Sequence, residues 1–200
     1  MRRISIFGAT GSVGANGVDL IRRAGGPDAY RTVALTGGRN IARLARMARD
    51  LRAEIAVTAH PELLDDLCDA LAGSGVDAAA GPQALIEAAA RPADWMLSAI
   101  VGAAGLVPGL TALAQGGVLA LANKESLVCA GPLLRHAAKA SGARILPVDS
   151  EHSAIFQARG QEKLESVKDV TITASGGAFR DWPLDRLAKA TVEEASSHPN

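Results

Sequence analysis

Cysteine is scarce. Cys68 and Cys129 are the only two in 200 residues, they lie far apart, and neither belongs to a C-x-x-C pair. A disulfide framework or a zinc knuckle therefore has no basis, and a reducing cytoplasm is the expected location. Aromatic residues make up 3% of the chain, too few to interleave with basic residues as a stacking surface for single-stranded nucleic acid. Neither sign of charge is in excess: 21 Lys and Arg offset 21 Asp and Glu, so no global field gathers nucleic acid or an anionic membrane. No stretch of about 18 uncharged apolar residues occurs, as a membrane helix requires. The run Met1-Arg2-Arg3-Ile4-Ser5-Ile6-Phe7 is too short ahead of Gly8 to serve as the apolar region of a signal peptide. The expectation is a protein with neither nucleic-acid nor membrane partners, one that recognises small molecules locally.

What is present is apolar content, 48% of residues against 21% charged, enough for one large domain or for one domain and the start of another. Short β-branched or apolar runs at 4–7, 32–35, 55–58, 96–100, 118–121, 145–148 and 170–173 read as strands. They alternate with helical patterns at 13–23, 41–51, 61–71, 83–90, 107–114, 126–139 and 153–157. That order predicts an α/β fold, a Rossmann-like doubly wound and mostly parallel sheet with helices on both faces. Pro61 suits a first helical turn, and Gly73-Ser74-Gly75 ends the helix it opens. Punctuation changes after Val148, which places one domain over 1–148 and the start of a second, α/β domain over 149–200.

The first strand runs directly into Gly8-Ala9-Thr10-Gly11-Ser12-Val13-Gly14 and then a helical pattern, the context a dinucleotide-binding turn needs. Its spacing is G-x-x-G-x-x-G. Gly11 lets backbone amides close on a pyrophosphate at the positive helix end, Gly14 lets the helix approach the sheet, and Thr10 and Ser12 add hydroxyls. A plain strand-to-helix turn with packing glycines is the competing explanation. The second strand ends in Thr36-Gly37-Gly38-Arg39-Asn40, with no carboxylate where an NAD site keeps one for the ribose. Arg39 offers a planar, permanent cation to a 2′-phosphate, so NADP is expected over NAD, unless Arg39 is only a solvated loop cation.

Two further strand ends carry polar clusters. Asn123-Lys124-Glu125-Ser126 follows the run at 118–121, where open α/β sheets present ligands, although a surface helix cap reads the same way. Asp149-Ser150-Glu151-His152 follows the run at 145–148. In an extended segment Asp149 and Glu151 point to one side and can share a cation, and their oxygens suit Mg²⁺ or Mn²⁺. An acid-rich helix N-terminus is the alternative for that pair. Ser175-Gly176-Gly177 forms either an anion-binding backbone nest or a turn.

Taken in order, the glycine turn at 8–14, the segments Leu121-Ala122-Asn123-Lys124-Glu125-Ser126-Leu127-Val128, Pro147 to Gln157, and Thr173-Ala174-Ser175-Gly176-Gly177 resemble one family. Together with Val101 to Leu106 and His198-Pro199-Asn200, they resemble 1-deoxy-D-xylulose 5-phosphate reductoisomerases over essentially the whole chain. The resemblance implies an NADP-dependent oxidoreductase and isomerase of non-mevalonate isoprenoid biosynthesis. Its substrate, 1-deoxy-D-xylulose 5-phosphate, is rearranged and then reduced by NADPH to 2-C-methyl-D-erythritol 4-phosphate, with Mn²⁺ or Mg²⁺ required and Co²⁺ a further option. By motif, Thr10, Gly11, Ser12 and Val13 hold the cofactor's pyrophosphate region, Gly38, Arg39 and Asn40 its adenosine phosphate end, and Asn123 and Glu125 its nicotinamide side. Asp149 and Glu151 correspond to metal ligands, and Lys124, Ser150, Glu151, Ser175 and His198 to substrate-binding positions. Lys124 and Glu151 are the expected catalytic groups, Lys124 stabilising charge that develops on substrate oxygens. A homodimer is implied for the full-length protein.

The family continues past the motif at residue 200 with a tryptophan-bearing loop, a third metal carboxylate, further phosphate ligands and a helical domain. The sequence therefore reads as an amino-terminal portion, expected to bind cofactor better than it turns over substrate and to be inactive alone. From the residues by themselves an NADP-dependent semialdehyde or polyol dehydrogenase and a non-catalytic nucleotide-binding module stay open. Mn²⁺-dependent affinity for a polyol phosphate separates the reductoisomerase from both.

Overall fold

Alternating strand and helix patterns become alternating strands and helices in the structure, a computed structural model that describes residues 1–172 and 177–197. The chain runs β1 (Arg2–Phe7), α1 (Ser12–Arg23), α2 (Gly26–Ala29), β2 (Tyr30–Gly37), α3 (Ile41–Asp50), β3 (Ile55–Thr58), α4 (Leu64–Leu71) and β4 (Asp77–Ala80). It continues with α5 (Pro82–Ala90), β5 (Trp95–Ser98), α6 (Leu106–Leu113), β6 (Val118–Leu121), α7 (Lys124–Ser141), β7 (Arg144–Pro147) and α8 (Ser150–Arg159). The seven strands form one sheet in the order β4-β3-β2-β1-β5-β6-β7, and every neighbouring pair is parallel.

Period-two alternation sends successive side chains of each strand to opposite faces. Ile6 and Leu35 point to the face covered by α1, α3 and α4, with Val18, Leu44, Met47 and Leu67. Phe7 and Ala34 point to the other, with Leu85, Leu113 and Leu134 from α5, α6 and α7. Central strands read as continuous apolar runs because both their faces are covered. Pro132 interrupts α7, and Ala130 two residues earlier leaves helical geometry at φ −145°, ψ 29°, as a missing amide and a ring clash require.

The chain divides into two compact units, 1–153 and 154–200. The first holds the whole sheet. The second holds, among the described residues, the rest of α8 and the short helices α9 (Leu184–Leu187) and α10 (Val192–Ser196). No described helix is long and apolar enough to cross a membrane.

Two sequence expectations are corrected here. The run at 170–173 is not a strand at Val170, Thr171 or Ile172. Val170 and Ile172 are exposed, and a strand needs a hydrogen-bonding neighbour that the described part of this unit does not provide. The seventh strand is instead β4, Asp77-Ala78-Ala79-Ala80, an alanine run with weak strand propensity, held by parallel pairing of Ile55 with Asp77 through Thr58 with Ala80.

Candidate functional site

In an open parallel sheet, ligands bind beyond the carboxyl ends of the strands where the strand order reverses. Here that point lies between β1 and β5. The β1 end leads into the glycine turn. Gly8 has φ +85°, and a Cβ on it would stand 2.5 Å from the Ala99 carbonyl oxygen, so the turn passes directly against the β5 end. The Gly8 amide donates to Thr36 Oγ1 at 3.0 Å, and the Ala9 amide to the Thr36 carbonyl at 2.7 Å. Gly11 is the N-cap of α1 and supplies no side-chain cap, and the first turn of α1 carries no acid. Its leading amides and positive helix end are thus left for an anion. Gly11, Ser12 and Val13 are exposed, and Thr10 is half-buried.

At the β2 end, a Cβ on Gly38 would meet nothing within 4 Å, which leaves room for a ligand. Arg39 is exposed and its Nη2 lies 3.1 Å from Glu62 Oε1. The Asn40 side chain caps α3, accepting the Arg43 amide at 3.1 Å.

The β5, β6 and β7 ends meet around Asn123. This side chain is 3% exposed and fully engaged: Oδ1 accepts the Ser126 amide and hydroxyl, each at 2.7 Å. Its Nδ2 donates to Gly102 O at 2.7 Å and to Ile100 O. Asn123 thereby ties the loop after β5 to the N-terminus of α7, where Lys124 projects and Glu125 is half-buried. The ladder continues past β7, with the Val148 amide donating to Leu121 O at 2.9 Å, and it delivers Asp149 to Lys124. Lys124 Nζ donates to Asp149 Oδ2 at 3.0 Å, and His152 Nδ1 lies 2.8 Å from Oδ1.

The Asp149 side chain is 11% exposed. Burial pushes its pKa up, but hydrogen bonds with His152 and Lys124, together with the Lys124 charge, outweigh it and hold the pKa at about 2. The same contact with Asp149 raises that of Lys124. Asp149 and Glu151 flank the start of α8 and are not residues of an extended segment. Glu151 lies in the first turn of α8, and Asp149 precedes that helix, its carbonyl accepting the Ser153 amide at 2.8 Å. The helix starts three residues earlier than its apolar pattern indicates, because residues 150–152 are polar and exposed. Ser150 Oγ donates to Glu151 Oε2 at 2.7 Å.

Measured against the groups the sequence implies, the glycine turn suits a dinucleotide, since it combines an uncapped helix end with an open β2 loop. The two neighbouring carboxylates suit a hard divalent cation as a partial ligand set. Among the described residues no group of three His, Cys, Asp or Glu stands ready to hold a metal. Ser175 and His198 lie outside the described residues.

Sequence reasoning missed Thr36 and Thr58, both fully buried at strand ends. Thr58 Oγ1 donates to Gly38 O at 3.0 Å and accepts the His60 amide at 3.3 Å, joining the loops after β2 and β3. Their only sequence signal is a threonine at or next to the last residue of its strand.

The chain is 73% identical over 200 residues to a 1-deoxy-D-xylulose 5-phosphate reductoisomerase of Paracoccus denitrificans, covering 100% of this chain and 51% of that protein. A solved reductoisomerase of Zymomonas mobilis in complex with NADPH matches with TM-score 0.90 and 49% identity, over 99% of this chain and 52% of that one. A crystal structure of DOX-P reductoisomerase with NADPH, fosmidomycin and magnesium matches with TM-score 0.82 and 38% identity, over 100% of this chain and 52% of that one. The chain spans about half the length of the relatives it matches. The family model for 1-deoxy-D-xylulose 5-phosphate reductoisomerase matches residues 4–131 and that for its C-terminal domain residues 145–200, and the chain belongs to this family.

Proposed function

We propose that this protein catalyses the NADPH- and divalent-metal-dependent rearrangement and reduction of 1-deoxy-D-xylulose 5-phosphate to 2-C-methyl-D-erythritol 4-phosphate, in isoprenoid precursor biosynthesis. One observation carries the reading: the uncapped glycine turn and the Lys124–Asp149 pair, 3.0 Å apart, stand at the same edge of one sheet. When bound, NADPH supplies a hydride, and Mg²⁺, Mn²⁺ or Co²⁺ supplies a Lewis acid.

The chain's own residues bind and orient. Residues 1–148 form the NADPH-binding domain and 149–200 begin the catalytic part. Amides and hydroxyls of Thr10, Gly11, Ser12 and Val13 take the pyrophosphate at the α1 N-terminus. Gly38, Arg39 and Asn40 border the adenosine phosphate, with Asn40 acting by capping α3. Asn123 and Glu125 serve the nicotinamide side, Asn123 by fixing the loop after β5. Asp149 and Glu151 hold the cation. Lys124, Ser150 and Glu151, with Ser175 and His198, contact the small phosphorylated substrate, and Lys124 offers its ammonium to oxygen atoms that gain charge.

A homodimer in the cytoplasm completes the reading, and the free, exposed Cys68 and Cys129 support a reducing compartment. The test is NADPH oxidation by the protein from its own reading frame, with 1-deoxy-D-xylulose 5-phosphate, with and without Mn²⁺. Metal-dependent oxidation is expected, and an intact protein that oxidises no NADPH under either condition rejects the reading. Asp149→Asn should abolish metal-dependent substrate binding, and retention of that binding would remove Asp149 from the ligand set.

A further inference from the structure

The loop after β2 carries Arg39, and the loop after β3 carries His60 and Glu62. One oxygen of Glu62 serves both basic groups: Oε1 lies 3.1 Å from Arg39 Nη2 and 3.3 Å from His60 Nδ1. This is more than a chance surface pair, because the two loops are bolted together beneath it. The Ala59 amide donates to Gly37 O at 2.9 Å, and the buried Thr58 hydroxyl bridges Gly38 O and the His60 amide. Glu62 itself sits in a single 3-10 turn opened by Pro61, which restricts where its carboxylate can reach. Its own backbone amide stabilises the ionised form most, burial opposes it, and His60 and Arg39 add to the lowering of its pKa.

The end of the second strand is where a dinucleotide-binding sheet reads the 2′ substituent of the adenosine ribose. A phosphate there and a carboxylate there compete for the same donors. We propose that Glu62 is an internal stand-in for the 2′-phosphate: its carboxylate holds Arg39 and His60 in the phosphate's place and must be displaced when NADPH binds, so that Glu62 sets the discrimination between NADPH and NADH. The three side chains are 68%, 32% and 55% exposed for Arg39, His60 and Glu62 respectively, so an incoming phosphate can reach all of them. Displacing Glu62 costs affinity for phosphorylated cofactor only, since NADH brings no competing anion to the site. The inference rests on Arg39 being the 2′-phosphate ligand.

The test is direct binding to the apo protein, without turnover, by calorimetric titration with NADPH, NADH, adenosine 2′,5′-bisphosphate and 5′-AMP. For Glu62→Gln, released donors and the loss of carboxylate–phosphate repulsion should tighten NADPH and the bisphosphate roughly three- to tenfold, leaving NADH and 5′-AMP unchanged. His60→Ala should weaken the phosphorylated pair alone. Equal or weaker NADPH binding by Glu62→Gln, or a parallel change in NADH, would overturn the proposal. Arg39→Ala separates it from the reading beneath it: if this variant loses NADPH affinity relative to NADH while Glu62→Gln does nothing, only the stand-in role fails. If Arg39→Ala leaves the ratio unchanged, the 2′-phosphate assignment fails and the stand-in role with it.

Discussion

Asp149 illustrates how a single carboxylate acquires its character from neighbours. Its lowered pKa is a statement about stability: the contacts with His152 and Lys124 contribute in full above the ordinary aspartate value, 3.8, and are lost as pH falls through about 2. Urea midpoints of the wild type should therefore fall more steeply between these pH values than those of Asp149→Asn, and equal slopes would show that these contacts add nothing. Thr32 presents the opposite case. It is 1% exposed and its hydroxyl has no hydrogen-bond partner, so folding strips that oxygen of water without compensation. Thr32→Val keeps the shape and should stabilise the protein by about 1 kcal/mol in urea unfolding, and an unchanged or lowered midpoint would show that the hydroxyl is compensated.

Among elements, the β1–turn–α1 unit is the most constrained. A Cβ on Gly14 would stand 2.1 Å from the Gly8 carbonyl oxygen and 2.7 Å from Ala9 Cα, all backbone atoms that cannot move aside. Gly14→Ala should cost about 1–3 kcal/mol or more by overpacking and should weaken NADPH binding as α1 is pushed off the sheet. Gly38→Ala is the control, since nothing lies within 4 Å of its Cβ position; its stability should match that of the wild type. A stability loss as large at Gly38 as at Gly14 would mean that close approach is not the reason for the glycine in α1. Asn123 works at the same scale, joining the loop after β5 to the start of α7 so that Lys124 meets Asp149 across two strand ends.

For the molecule as a whole, the sheet and the glycine turn both lie in the unit formed by residues 1–153. The residues proposed to contact NADPH, Thr10 to Val13, Gly38 to Asn40, Asn123 and Glu125, all lie in this unit. The 200-residue polypeptide should bind NADPH and gain about 2.7 kcal/mol of stability at a hundredfold excess over Kd, yet turn over no 1-deoxy-D-xylulose 5-phosphate with Mn²⁺ present. Calorimetry and urea unfolding check the first half and NADPH absorbance the second. An unshifted urea midpoint would contradict the nucleotide-binding reading, and turnover would contradict the view that a two-carboxylate ligand set is insufficient.

Sequence alone determined the α/β alternation, the glycine turn, the lack of an acid among residues 36–40 and the paired acids after β7, because each depends on local spacing and residue chemistry. Tertiary structure decided the rest. The strand at Asp77–Ala80 exists because β3 offers it an edge, whereas Val170 and Ile172 have no such partner among the described residues and form none. Asn123 reads as a polar loop residue, but only the fold shows its amide consumed in holding two loops. Glu62 carries no motif, and it comes to Arg39 because parallel pairing of β2 with β3 sets their carboxyl ends side by side. Local sequence dictates which conformations each segment prefers, while long-range hydrogen bonding and packing decide which distant side chains share a site.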